Sequence, residues 1–186
     1  GKLDRRVVVK KLAKLSDKII TVSEFAKSEI HEYLGIDLSK IVVINNVLDT
    51  RYLDNIKDQN FSKKNNIIVL VGGDHPQKNI IPTVKLLDKY CHDILLDWRI
   101  KICGLSKIKN LINSNKLNID LYGHLDEKEL FELYKLARVL LFPSLNESFG
   151  IPILEALATD NQVVAMNAGA VKEVLRNYGN IYDYNN

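Results

Sequence analysis

The sequence predicts an α/β protein built on a doubly wound parallel sheet, preceded by a partial smaller lobe. Three observations carry that prediction. From Ile67 onward, short apolar runs alternate with stretches of helical period, the pattern of strand–helix–strand units joined by right-handed crossovers. The first of these runs, IIVLVGG at 67–73, is apolar at consecutive positions, as a strand covered on both faces must be. The runs also stop at turn residues: Gly72-Gly73, Gly104, Gly123 and the segment 143–150. Ligands of such sheets bind outside the C-terminal strand ends, so a site is expected at these turns.

Taken in order, residues 4–15 read as a helix with Val7, Val8, Leu12 and Leu15 on its apolar side. KIITV at 18–22 reads as a short strand. Ser23 then caps a helix over 24–34 that Gly35 closes. KIVVI at 40–44 is a second strand, and Asn45-Asn46 favours a turn. Residues 50–66 are polar and aperiodic, which marks a linker. The larger part follows with helices over about 79–92, 106–114, 126–136, 151–157 and 171–177. Its strands fall at 67–73, 98–103, 119–122, 139–142, 162–166 and 180–184. The expected division is therefore 1–49, a linker at 50–66, and 67–186.

Composition excludes several classes. The 186 residues carry a net charge of +3 and the apolar and charged fractions of an ordinary soluble domain. No run approaches the roughly 20 apolar residues of a membrane span. The start, GKLDRR, has no apolar stretch behind it, so no signal peptide is expected. Basic residues gather early, from Lys2 to Lys18, without the interleaved aromatics of a base-stacking platform; a solvated helix face is expected, and no nucleic-acid partner. Cys91 and Cys103 read as reduced, core-type thiols of a cytoplasmic protein. His31, His75, His92 and His124 are scattered, so no metal site is expected. Neither a Gly-x-Gly-x-x-Gly fingerprint nor a Walker A lysine motif occurs.

The most informative stretch is 141–158, LFPSLNESFGIPILEALA. An apolar strand end is stopped by Pro143. A polar loop leads to Phe149-Gly150, and a helix begins at Ile151 with Pro152 in its first turn, where a missing N–H costs nothing. Unpaired N–H groups and the positive end of the helix dipole then face one point, which suits a phosphate. Two carboxylates frame the turn: Glu147 in the loop and Glu155 eight positions later on the helix. Glu155 stands among Ile151, Leu154, Ala156, Leu157 and Ala158, where a charge taken out of water requires a partner.

With Pro143-Ser144 before it, Phe149-Gly150-Ile151-Pro152 inside it and Ala156 after it, this stretch resembles the E-x7-E motif of family 4 glycosyltransferases, retaining enzymes of the GT-B fold. The resemblance runs from about residue 15 to 182. It includes Thr21-Val22-Ser23-Glu24 and 45–49 near the end of an N-terminal domain, and Val71-Gly72 with Lys78-Asn79 in the first loop of the C-terminal domain. Many members have an arginine five residues before that lysine; Gly73 stands here instead. The resemblance implies a Rossmann-like nucleotide-sugar-binding domain at 67–186, truncated at its C-terminus, preceded by the end of the acceptor-side domain.

The implied reaction is transfer of a sugar from a nucleoside-diphosphate sugar, UDP- or GDP-linked, to an acceptor hydroxyl with retention of anomeric configuration. Lys78 and Glu147 would serve the reaction. Lys78, with N–H groups near Gly150 and Ile151, would hold the diphosphate. Glu147 would position the donor sugar, helped by the backbone of Ser148 and Phe149. Glu155 would accept ribose hydroxyls. Gly72, Gly73 and His124 complete the implied donor-binding set, His124 near the nucleobase; Gly169, Ala170 and Glu173 read as structural. No metal or other cofactor is expected. The acceptor would be a glycan or lipid-linked glycan, in the cytoplasm, with peripheral attachment at the inner membrane face left open. The polypeptide alone is expected to bind the donor without efficient transfer. Three alternatives stand beside this: a non-catalytic nucleotide-binding module, which Gly73 favours; a GT-B-type sugar-nucleotide epimerase; and a flavodoxin-like signalling domain.

Overall fold

A helix, α1 (Arg5–Leu15), opens the computed structural model, which describes residues 5–49, 64–105 and 116–183. The chain divides into two units, Gly1–Asn46 and Val47–Asn186. In the first, β1 (Ile19–Thr21) pairs in parallel with β2 (Ile41–Val43), and α2 (Glu24–Leu34) makes the crossover between them. Ser23 caps α2 as its residue type demands: its hydroxyl accepts from the Ala26 N–H at 3.0 Å. Gly35 ends the helix in the left-handed region at φ 65°. The apolar side expected of α1 is not buried within this unit, since Val7, Leu12 and Leu15 are all exposed.

The larger unit contains β3 (Asn65–Val71), α3 (Ile80–Tyr90), β4 (Arg99–Cys103), β5 (Asn118–Tyr122), α4 (Glu127–Leu136) and β6 (Ala137–Phe142). It continues through α5 (Ile151–Ala158), β7 (Gln162–Met166), α6 (Val171–Leu175) and β8 (Asn180–Tyr182). The strands form one parallel six-stranded sheet in the order β5-β4-β3-β6-β7-β8. The doubly wound sheet is thus observed. Its two faces bury separate apolar clusters. Val69, Leu140, Phe142, Val163 and Ala165 pack with Leu133 and Tyr134 of α4 and Ile153 and Ala156 of α5. Ile68, Leu70, Ile100 and Ile102 pack with Ile80 and Val84 of α3. Alternate residues of one strand serve opposite faces, which is why β3 is apolar throughout.

The element boundaries differ from expectation in instructive places. β3 starts at Asn65 rather than 67, because Asn65 pairs with Ala137 across a shift in register; both asparagines lie at the exposed strand start, where polarity costs nothing. β6 starts at Ala137 rather than 139, directly after α4, so no turn residue announces it. A short 3₁₀ turn at Pro76–Lys78 precedes α3, where no separate element was expected. The helix expected at 106–114 and residues 50–63 of the linker lie outside the described residues. Among the described residues, no helix is long and apolar enough to cross a membrane.

Candidate functional site

The chain leaves β3 for β4 and β5 on one side and returns at β6 on the other. The strand order therefore reverses between β3 and β6, and the crevice above their C-terminal ends is where such sheets take ligands. The loops entering that crevice are the two that carry Lys78 and Glu147. They lie 69 residues apart in sequence, and the fold joins them: Lys78 Nζ donates to Glu147 Oε1 at 2.6 Å. The pair is only partly open, with side-chain exposures of 32% for Lys78 and 12% for Glu147. A charge-assisted bond of this length is strong.

Local geometry fixes both partners. The turn ending at Lys78 is capped by His75, whose Nδ1 accepts from the Gln77 N–H. Asn79 follows in the left-handed region at φ 53° and redirects the chain into α3. The stem of Lys78 lies against Gly72, where an added Cβ would come within 3.0 Å of Lys78 Cγ; Gly72 is the gap through which the lysine passes. The ammonium stands 5.9 Å from the ring centre of Phe142, the buried last residue of β6, within the range of a cation–π attraction.

The loop bearing Glu147 is pinned on two sides. The Leu145 N–H donates to Gln77 O at 2.8 Å, and the Ala170 N–H donates to Glu147 O at 2.8 Å. Gly169 lies at φ 59°, and a Cβ there would collide with the Glu147 backbone. Gly169 and Ala170, read from sequence as structural, therefore hold the candidate site in place. Phe149 is buried, Ser148 is exposed, and Gly150 precedes α5 at φ 99° without a side-chain cap. In the first turn of α5 Pro152 has no N–H and the Ile153 N–H donates to Gly150 O at 3.0 Å; Ile151, the first residue, is exposed.

Glu155 stands elsewhere, half-buried beside α4. Burial raises its carboxyl above the usual range; the Tyr134 hydroxyl acts in the opposite sense as a hydrogen-bond donor, and Glu127 pushes it further up. Gly73 is exposed, with Gly104 O the nearest atom to an added Cβ at 4.0 Å. His124 is exposed in the turn between β5 and α4. Cys103, at the end of β4, is buried and its thiol is pushed up to about 12, which makes it unreactive. No three His, Cys, Asp or Glu side chains converge to hold a metal among the described residues. Sequence reasoning passed over Phe142, Gln77 and Tyr134. Their parts depend on pairings between distant loops and helices, and Tyr134 looked like any aromatic on an apolar helix side.

The fold is that of doubly wound α/β domains, a class whose ligands sit at the switch point of the sheet, and comparison gives the family. The chain belongs to the family described as glycosyl transferases group 1, matched over residues 53–185. Residues 2–52 match a second description, glycosyltransferase family 4. An uncharacterized glycosyltransferase from Methanocaldococcus jannaschii is 31% identical over 165 residues, covering 86% of this chain and 43% of that protein. The O-antigen chain mannosyltransferase RfbU from Salmonella typhimurium is 28% identical over 178 residues, covering 92% and 48%. The chain thus spans less than half the length of these relatives. A glycosyltransferase structure from Rickettsia africae superposes with a TM-score of 0.74 at 24% identity, covering 100% of this chain and 55% of that one. Anabaena HepE, solved with UDP and glucose, gives 0.73 at 17%, covering 96% and 52%.

Proposed function

We propose that this chain forms the donor-binding side of a retaining glycosyltransferase that draws on a nucleoside-diphosphate sugar. The observation that carries the proposal is the Lys78–Glu147 pair at the switch-point crevice. A departing nucleoside diphosphate gains negative charge as the glycosidic bond breaks. Lys78 and the backbone N–H groups near Gly150 and Ile151 stabilise that charge as preorganised donors. Glu147 keeps the lysine in the crevice before the donor arrives and then holds the donor sugar through a hydroxyl. Glu155 takes the ribose hydroxyls, a task for an ionised carboxylate. His124 and Gly73 border the donor. Side chains and amides of the chain itself neutralise the phosphates, so the proposal invokes no metal or other cofactor.

In this proposal residues 67–186 are the nucleotide-sugar domain, 50–66 the connection, and 1–49 the end of the acceptor-side domain. Relatives named as mannosyltransferases support mannose as the sugar, and the O-antigen chain named for two of them supports a glycan acceptor; a lipid-linked form of that glycan and a cytoplasmic enzyme are parts of the same proposal. The test is anomeric: the full-length protein is incubated with GDP- and UDP-mannose and a mannosylated acceptor, and the new linkage is read by NMR. Retention from one of the two donors is expected. Inversion, or transfer unaffected by Lys78→Ala, would contradict the proposal.

A further inference from the structure

Tyr134 is wholly buried in α4, and its polar hydroxyl is given no role by the donor site described so far. Its backbone is held from below. The Tyr134 carbonyl accepts from Asn161 Nδ2 at 3.1 Å and from Lys64 Nζ at 3.0 Å. Asn161 also donates to Ala137 O at 2.7 Å and accepts from Thr159 Oγ1 at 2.7 Å. Thr159 is the residue that ends α5. The C-terminal ends of α4 and α5 are therefore locked to each other by a buried polar network. From that base, helix geometry sends the Tyr134 side chain back toward the N-terminal end of α4. It shares a core cluster with Ile153 and Ala156, on the same helix as Glu155, and its hydroxyl acts on the Glu155 carboxyl as a donor that favours the ionised form.

We propose that Tyr134 is a positioning residue, whose buried hydroxyl orients the Glu155 carboxylate to accept the ribose hydroxyls of the donor nucleotide. This presupposes the ribose-binding role proposed for Glu155. A buried phenol gains most by donating to a full negative charge. Hydrogen bonds of ligand-free sites commonly tighten once the ligand is seated. The locked helix ends prevent Tyr134 from following Glu155 if the carboxylate swings away, so the hydroxyl is a fixed point and the carboxylate the moving part.

The chain is titrated with UDP, GDP and ADP to find the base it accepts. The chosen diphosphate, its 2′-deoxy counterpart and inorganic pyrophosphate are then titrated into wild type, Tyr134→Phe and Glu155→Ala, with circular dichroism reporting the fold. Wild type is expected to favour the ribonucleotide roughly tenfold. Both variants should lose most of that preference while binding pyrophosphate as wild type does. If Tyr134→Phe keeps the full preference while Glu155→Ala loses it, the inference fails and the role of Glu155 stands. If Tyr134→Phe loses pyrophosphate binding and structure together, Tyr134 is a core residue and the inference also fails. If Glu155→Ala keeps the preference, or no diphosphate binds, the role of Glu155 fails and the inference with it.

Discussion

At the scale of single residues, the site depends on one cation and on the space around it. Lys78 is the charge that a diphosphate would take over from Glu147. Its replacement by alanine should weaken diphosphate binding roughly 10- to 100-fold, the usual worth of a hydrogen bond to a charged group, as measured by calorimetric titration. The crevice also has unused room. Gly73 is exposed and an added Cβ would make only an ordinary contact with Gly104 O at 4.0 Å, so Gly73→Arg should fold normally and tighten diphosphate binding several-fold at low salt; unchanged affinity would show that the crevice does not receive the phosphates. Gly169 offers no such room. Its positive φ and the Glu147 backbone against it mean that Gly169→Ala should cost ~1–3 kcal/mol in stability, read from urea unfolding, and weaken binding by displacing Glu147.

At the scale of elements, the ends of α4 and α5 share a cation. Lys64 Nζ donates to the carbonyls of Tyr134 and Thr159, where two helix dipoles present their negative ends. Burial nevertheless lowers its pKa to about 8, from an ordinary value of 10.5, with Asp160 working the other way. The unfolded chain keeps this proton up to the ordinary value, whereas the folded chain releases it near 8. Between those values unfolding takes up a proton, so this group makes the fold more stable as pH rises. Cys103, raised to about 12 by burial, has the opposite sign above its ordinary value of 9.0. The contribution of Lys64 is therefore the difference between wild type and Lys64→Met. Wild type should gain stability relative to the variant from pH 8 to 10.5; a difference that stays flat would contradict the assignment. The same elements show what was legible in the sequence. Capping by Ser23 and Gly35, the all-apolar β3 and the oddly placed Glu155 are local signals, and each was readable. The partner of Glu155 was not, because a tyrosine on an apolar helix side looks like packing. Lys64 was lost in a polar stretch, since its partners lie 70 and 95 residues away.

For the molecule as a whole, the order of strands matters more than their number. Strand–helix alternation predicted the sheet but not which strands are neighbours. The reversal between β3 and β6 is what turns two separate loops into one crevice. Sequence reading placed Lys78 near an anion and Glu147 near a donor sugar, and the fold brings the two into direct contact. The central claim is that this crevice receives a nucleoside diphosphate on Lys78. The most direct measurement is calorimetric titration of the chain with UDP, GDP and ADP, repeated on Lys78→Ala. Saturable binding of one of the three is expected, weakened by the substitution while the fold is kept. Binding that is indifferent to Lys78, or no binding to the folded chain, would contradict it.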